Sequence, residues 1–436
     1  MSGATAAHAS YNGSGTQGLA VTNKINDVGD IMSVFWNKDK TTKQLLHGSS
    51  IIEIPSSGDG ASAGSNMIFT LNSDMDLIGD LFLTIKVTPS ASITVTKEYG
   101  LLGLIDRIEF QVGTQIWQTL EYMDILGLNS TELSHGAYEK FILGLQGSDR
   151  DGAYMAKDTG VQVTDLITFT NDRFFVVKLP LLTRTIGPTL NNYSNITEGG
   201  FLTAAAPNQT VKIKVYTNKL TTMYDNKMLS SNTATGITDI RLYGKHIIMC
   251  NEEREQIRNM PGGLTKRVKI SQNREEVVPG ATSNISSIEI DCDHFSLYAS
   301  HLIIQIIDDS ALSATPFAAA DNVACLLEAE LKLNSTSYCG KLKGGLLTGV
   351  VPESMGLYVN QFSSRAAAHV RTFTYVFPLA NRAYSGSGVP LNRFDNIRLA
   401  LKIHCPGSVV AKKVCVTCVG ETTAMYRQGA ASISMY

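Results

Sequence analysis

Cys415 and Cys418 stand three residues apart, which is the spacing of a redox pair or of half a zinc site. No second pair follows, and residues three apart on a β-strand point to opposite faces. The cysteines are odd in number and lie in the second half, without the paired spacing of a secreted disulfide framework: Cys250, Cys292, Cys325, Cys339, Cys405, Cys415 and Cys418. We therefore predict free, buried thiols and no bound metal.

The run Asp291-Cys-Asp-His294 also offers possible metal ligands. Strand alternation would divide these side chains between two faces, so the run favours a loop at the start of a strand. Other histidines occur singly, and we predict that they are surface or core residues: His135, His246, His301, His369 and His404.

Three further patterns could bind phosphate, acids or sugars. The glycines of 236–244 and 340–349 lack the Lys and Ser/Thr of a phosphate-binding loop. The acids Glu252, Glu253 and Glu255 fit a solvated helix start, where the helix dipole favours negative charge. Aromatic residues on a β face usually belong to the core, which is our prediction for Trp36 and Trp117. We predict no catalytic residue, no cofactor-binding residue and no metal ligand.

Composition indicates the kind of scaffold. The 436 residues are 43% hydrophobic and only 17% charged, with 37 Gly, which favours an all-β protein with two domains over one rich in helices. A net charge of -2, with a single Lys in the first thirty residues, argues against direct nucleic-acid binding. No apolar run is long enough for a membrane span, and the N-terminus lacks a signal-peptide pattern, so we expect the chain to fold in the cytosol.

Hydrophobic periodicity predicts the elements. Ile108, Phe110 and Val112 alternate with Glu109 and Gln111, as in a strand with one buried face, and a hairpin follows at 113–114. Short amphipathic helices are predicted within Tyr122 to Leu145, and another within Asn251 to Asn259. The predicted organisation is an arm at 1–30, a first domain at 31–222, a linker at 223–236 and a second domain at 237–436.

Three strand-like blocks recur in the same order in both halves. Ile108 to Thr114 matches Ala329 to Ser335, Val177 to Leu181 matches Tyr375 to Leu379, and Val211 to Val215 matches Ile397 to Leu401. Each match alone is weak, but their collinear order predicts two copies of one β-fold. Two unrelated sandwiches of similar composition are the alternative.

The sequence resembles the double jelly-roll major capsid proteins of nucleocytoplasmic large DNA viruses, along most of its length. Asp80 to Val87 and Leu101 to Gly113 resemble the family's Leu-Ile-x-x-Val-Glu-Leu-x-Ile-Gly-Gly strand, and Phe174 to Leu181 resembles its Phe-x-Val-Pro-Leu segment. Tyr243 to Gln272 is similar to the bridge between the barrels. Further similarity lies at 331–334, 357–362, 375–379, 392–399 and 425–430. Phe35 to Lys40 departs from the family's N-terminal element, and the Ala-Leu-Pro-Leu block is absent after Leu182.

The resemblance implies two consecutive eight-stranded jelly rolls with short inserted helices. It implies a non-enzymatic major capsid protein of the virion, made and assembled in host cytoplasm, whose homotrimers form pseudo-hexagonal capsomers of an icosahedral shell. Its expected partners are neighbouring capsomers, minor capsid proteins and an internal membrane. Outward loops are predicted at Ser56 to Ser65, Thr189 to Pro207 and Ser310 to Asp321. A carbohydrate-binding or carbohydrate-cleaving β-sandwich protein and a minor vertex protein are the alternatives.

Overall fold

Strand pairing is the main organising feature of the chain. The computed structural model describes residues 48–58, 62, 64–72, 75–89, 93–96, 102–147, 166–169, 172–184, 200–218, 235–249, 251–259, 263–278, 285–308, 325–360, 372–383, 388–404 and 412–434. The predicted arm at 1–30, together with Trp36, His369, Cys250 and Cys405, lies outside these residues.

The strands of the first half are β1 Gly48–Ile54, β2 Ser56–Gly58, β3 Asn66–Leu71, β4 Leu77–Pro89, β5 Ile93–Thr96, β6 Ile105–Val112, β7 Gln115–Glu121, β8 Leu166–Phe169, β9 Arg173–Leu179, β10 Val211–Thr217 and β11 Thr235–Ile248. Those of the second half are β12 Leu264–Val278, β13 Ile285–Asp291, β14 Tyr298–Asp308, β15 Cys325–Leu333, β16 Thr336–Ser337, β17 Leu342–Lys343, β18 Thr372–Pro378, β19 Val389–Pro390, β20 Ile397–His404, β21 Lys412–Arg427 and β22 Ala430–Ser434. The helices are α1 Tyr122–Glu132, α2 His135–Gln146, α3 Asn251–Arg258, α4 Gly344–Thr348 and α5 Val350–Met355.

Two sheets face each other in each half. Sheet A1 has the order β1-β11-β4-β9, and sheet B1 contains β3-β10-β6-β7, with β2 at its edge. Sheet A2 has the order β12-β21-β14-β18, and sheet B2 the order β13-β20-β15-β16. With the short strands β2, β5, β8, β17, β19 and β22 set aside, both halves have the order 1-8-3-6 in one sheet and 2-7-4-5 in the other. This is the same antiparallel jelly roll twice, so the all-β prediction is confirmed.

The strand registers also confirm the internal repeat. The three recurring blocks fall on β6 and β15, on β9 and β18, and on β10 and β20, which are the fourth, sixth and seventh strands of their jelly rolls. In the first jelly roll Val211 pairs with Val112, and in the second Ile397 pairs with Leu333, its counterpart. The matching therefore holds residue by residue between sheets B1 and B2.

One assignment from the sequence was wrong. The run Ile237 to Cys250 was placed in the second domain, but β11 lies between β1 and β4 and completes sheet A1. A polar stretch before the last strand resembled a linker because a jelly roll returns its final strand to the first sheet after a long connection. The first set of strands ends at Ile248, and the second begins at Leu264.

Several local predictions also need correction. Glu109 is buried rather than solvated, because Arg107 and the Tyr216 hydroxyl donate to its carboxylate. Helix α1 is not amphipathic, since residues 122–131 are buried on every side. Of the predicted loop at Thr189 to Pro207, the described part carries the buried Phe201 and Leu202, so it does not form an outward loop. Helices α4 and α5 were missed, because their five and six residues are too few to show a helical period.

Candidate functional site

The cysteine pair does not form a site. Cys415 packs with the core of the first jelly roll and Cys418 with that of the second, so the two thiols lie on opposite faces of β21, as alternation predicts. Burial raises the pKa of both thiols well above the ordinary value, which disfavours the thiolate needed for metal binding or redox exchange.

The acidic run at Asp291 has a structural role. Arg398 binds Asp291 at 2.7 Å and Asp293 at 3.5 Å, and the amide of Ile397 donates to Asp293 at 2.6 Å. The amide of Asp293 and then Arg398 lower the pKa of Asp291. The run begins at the last residue of β13 and continues into the loop that leads to β14, which agrees with the predicted loop before a strand. Within the part of the chain that the structure describes, no three His, Cys, Asp or Glu side chains are grouped to hold a metal.

The other chemical candidates also lie apart. His135 is on α2, His246 on β11, His301 on β14 and His404 on β20. Trp117 is a core residue, with its ring centroid 6.5 Å from Phe110 and 5.7 Å from Phe201. Glu255 is exposed on α3, and the side chains of Glu252 and Glu253 are outside the described set. Glycines 236–244 lie within β11, and 340–349 lead into α4.

The outer face of sheet B2 carries acids and bases together. A shallow groove there is lined by Glu289, Glu328, Glu330, Lys332, Lys341 and Lys402. Lys343 pairs with Glu328 and lowers the pKa of that carboxyl, and Lys332 lies 3.5 Å from Glu289. A glycosidase acid needs a raised pKa, so this arrangement is that of a solvated sheet face.

The most extensive buried polar arrangement described lies where the two jelly rolls meet, and we call this contact the seam. On sheet A2, strands β14 and β21 are buried on both faces: one face packs on the second core, and the other packs on the first jelly roll. The residues facing the first jelly roll include Ser271, Thr417, Val419, His301, Ile303 and Gln305. The seam therefore buries the central part of one face of sheet A2.

Helix α1 fills the centre of the seam. Its Asp124 accepts a hydrogen bond from the Thr417 hydroxyl at 2.7 Å and another from the Glu121 amide at 2.9 Å. Burial raises the pKa of Asp124 to about 7. One turn later, Gly127 lies against the Gln305 side chain, and an added Cβ would be only 2.8 Å from the amide oxygen. The small residue allows the helix to approach the sheet closely.

Two more contacts extend the seam along α1. The Gln118 side chain donates to Ser271 at 2.9 Å and accepts from the Leu182 amide at 2.7 Å. Beyond the other end of the helix, Asn360 donates its backbone and side-chain N–H groups to Ser130, at 2.9 and 3.0 Å. The bonds of Gln118 with Ser271 and of Asn360 with Ser130 therefore limit both the sliding and the rotation of one jelly roll relative to the other.

Helix α3, which connects the two jelly rolls, is held by an ion pair. Arg254 contacts both oxygens of the fully buried Asp76, at 2.6 and 2.9 Å, and the Met249 amide donates to the same carboxylate at 2.8 Å. Tyr426 of β21 packs edge-on against Phe201, with ring centroids 5.6 Å apart. Helix α3 is thus a bridge that this ion pair holds against the first jelly roll.

The seam sets the geometry of the two jelly rolls. Removing one partner of a buried polar pair is costly, so few relative orientations of the jelly rolls satisfy all of these groups together. No helix among the described residues is long and apolar enough to cross a membrane. The arrangement is suited to holding the two similar jelly rolls at a fixed angle.

Comparisons with known proteins agree with this architecture. No protein-family model and no curated protein matches the sequence. Among solved structures, the chain is similar to a quasi-atomic model of the PBCV-1 virus capsid, with 13% identity, a TM-score of 0.65, and coverage of 91% of this chain and 99% of that chain. It is also similar to the Faustovirus major capsid protein, with 9% identity, a TM-score of 0.58, and coverage of 89% and 92%. A structure of the Sputnik virophage gives 11% identity, a TM-score of 0.53, and coverage of 92% and 91%. The chain has the double jelly-roll fold of these proteins.

Proposed function

We propose that this chain is a major capsid protein whose copies form trimeric, pseudo-hexagonal capsomers of an icosahedral shell. The observation that carries the proposal is the seam, which locks two jelly rolls of identical topology side by side. Three such chains would present six similar blocks, an outline that can tile a surface with neighbours on every side. The two solved capsid proteins with the same fold over nine tenths of this chain support the proposal.

The finer parts of the proposal concern partners and place. The chain would act in the virion, in contact with neighbouring capsomers, with minor capsid proteins and with an internal membrane, after assembly in host cytoplasm. Its role would be structural and not enzymatic. The genome would not be a direct partner, because the net charge of -2 provides no large basic surface.

Light scattering coupled to size-exclusion chromatography tests the proposal. A trimer has three times the chain mass of 47.2 kDa, about 142 kDa. Electron microscopy of the same fraction should show particles with a hexagonal outline. A strictly monomeric protein at all concentrations would contradict the proposal, and a monomer that binds oligosaccharides would favour the carbohydrate-binding alternative.

A further inference from the structure

The registers of sheets A1 and A2 match residue by residue. Phe82 pairs with Lys178 and Tyr243, just as Ile303 pairs with Val376 and Thr417. Lys178 and Val376 each stand two residues before the proline that ends the sixth strand. Tyr243 on β11 therefore occupies the place of Thr417 on β21. Two residues further along these strands, the residue that pairs with β11 is Ile51 and the residue that pairs with β21 is Ser271, so Ile51 occupies the place of Ser271.

The two sheets differ in exposure at these positions. Ser271 and Thr417 are buried in the seam, whereas Ile51 is 68% exposed and Tyr243 is half-buried. The outer face of A1 is thus the counterpart of the seam face of A2, but with solvent access.

A similar contrast exists between the segments that follow the fourth strands. Leu120 pairs with Ile108, and Leu342 pairs with Ala329, the counterpart of Ile108. In both jelly rolls a helix begins two residues later, at Tyr122 in α1 and at Gly344 in α4. By this register Leu346 occupies the place of Asp124.

Tyr338 likewise occupies the place of Gln118. The amide of Tyr338 bonds to the Leu331 carbonyl, and Gln118 pairs with Phe110, the counterpart of Leu331. The side chains of Tyr338 and Gln118 each reach the segment just after the sixth strand, at Leu379 and Leu182. In the first jelly roll Gln118 and Asp124 are buried in the seam, whereas in the second Tyr338 and Leu346 are each 43% exposed.

We infer that Tyr338 and Leu346 bind the outer face of sheet A1 of a second copy of this chain, in the way that Gln118 and α1 bind sheet A2 within the chain. Tyr338 then lies against the second copy's Ile51, and Leu346 against its Tyr243. The contact is head-to-tail, so a chain that donates one surface still offers the other, and repetition closes a ring when the rotation between successive chains is about one third of a turn. The inference rests on the proposed function, because it names the surfaces through which the copies associate.

The chemistry of the matched positions fits this division. Within the chain, the pairs Gln118 with Ser271 and Asp124 with Thr417 are polar, and the covalent connection already keeps the jelly rolls together. Between chains, association must offset the loss of translational and rotational freedom. Burial of apolar surface provides that free energy, and the residues at the corresponding positions are Ile51, Tyr338 and Leu346.

Site-specific cross-linking tests the inference. One preparation carries Ile51→Cys and another Tyr338→Cys, both with Cys339→Ser to remove the exposed native thiol beside position 338. After the two are mixed and allowed to exchange subunits, a short bis-maleimide should link one chain of each kind. Either preparation alone should give at most a trace of dimer. An Ile285→Cys chain in place of the Ile51→Cys chain is the control, because position 285 is also exposed but lies on sheet B2.

A second measurement uses the mass of the assembly. Leu346→Lys should reduce the oligomeric fraction at least tenfold at equal concentration, whereas Ile285→Lys, at a residue of equal exposure, should leave it unchanged. Circular dichroism melting shows whether each variant remains folded. If the native protein is an oligomer but neither cross-links at 51 and 338 nor responds to Leu346→Lys, the inference is wrong and the proposed function stands. If the native protein is a monomer, both fail.

Discussion

Asp124 should make the stability of the seam depend on pH. Its carboxyl group is fully buried, and burial raises its pKa from 3.8 to about 7. Below pH 4 the group is protonated in both the folded and the unfolded chain. Between pH 4 and 7 the unfolded chain releases the proton while the folded chain keeps it, so the free energy of unfolding falls by about 1.4 kcal/mol per pH unit. Above pH 7 the loss levels off at about 4 kcal/mol relative to acid.

Asp124→Asn removes this dependence and keeps the shape of the side chain. The amide oxygen still accepts from the Glu121 amide, and the Thr417 hydroxyl can rotate to accept from the new NH₂ group. We expect the stability difference between the variant and the native chain to shift in favour of the variant by about 2 to 3 kcal/mol from pH 5 to pH 8. Urea unfolding at several pH values measures this difference, and other titrating groups cancel in the comparison.

Asp395→Asn is the matched control, because Asp395 lies exposed on a loop of the second jelly roll. Its unfolding profile should run parallel to that of the native chain at every pH. If Asp124→Asn also runs parallel, then Asp124 is not a buried carboxyl group with a raised pKa, and the seam does not exclude water from it.

Three further perturbations test other parts of the molecule. His301 is fully buried in the seam, and burial lowers its pKa to about 3. Below pH 6.5 the unfolded chain therefore gains a proton that the folded chain does not, so acid destabilises the native protein. On acidification to pH 5, His301→Gln should lose about 2 kcal/mol less stability than the native chain, as measured by urea unfolding. Gly144→Ala places a Cβ 2.5 Å from the backbone oxygen of Val176 and should cost about 1 to 3 kcal/mol of stability. Gly136→Ala in the same helix meets nothing within 4 Å and should be neutral or stabilising. Equal melting temperatures for the two variants would contradict this prediction. Arg254→Ala leaves the buried Asp76 without its ion-pair partner and should cost about 3 to 5 kcal/mol of stability. Arg241→Ala, at an exposed ion pair, should leave the urea midpoint near the native value. Similar midpoints for the two variants would show that the bridge is not held by the Arg254–Asp76 pair.

The repeat was readable in the sequence because a jelly roll imposes its own local pattern. Strands with one buried face alternate apolar and polar residues, and both copies of a strand bury the same positions, so Val211 to Val215 and Ile397 to Leu401 carry matching patterns. Because the matching segments follow the same order along both halves of the chain, they indicated a duplicated domain. The boundary was misplaced because β11 pairs with β1, nearly two hundred residues earlier, and no local property of 237–250 indicates that partner.

The seam could not be read from the sequence, although single features hinted at it. Helix α1 is apolar or small nearly all round, and β21 carries Val414 to Val419 without alternation, which is typical of elements covered on both sides. Which element covers which is a matter of tertiary packing. The hydrogen bond between Asp124 and Thr417 joins residues 293 positions apart, and neither residue type predicts the other.

The amino-acid sequence alone determined the fold class, the duplication and the absence of a recognisable catalytic pattern, because these depend on the period of hydrophobicity and on short motifs. The tertiary structure decided where one jelly roll ends, which face of each sheet is covered, and which core each of Cys415 and Cys418 joins. It also showed that equivalent positions differ in exposure, with Asp124 buried and Leu346 exposed. That difference depends on the neighbour each jelly roll has in space, and only the folded chain provides it.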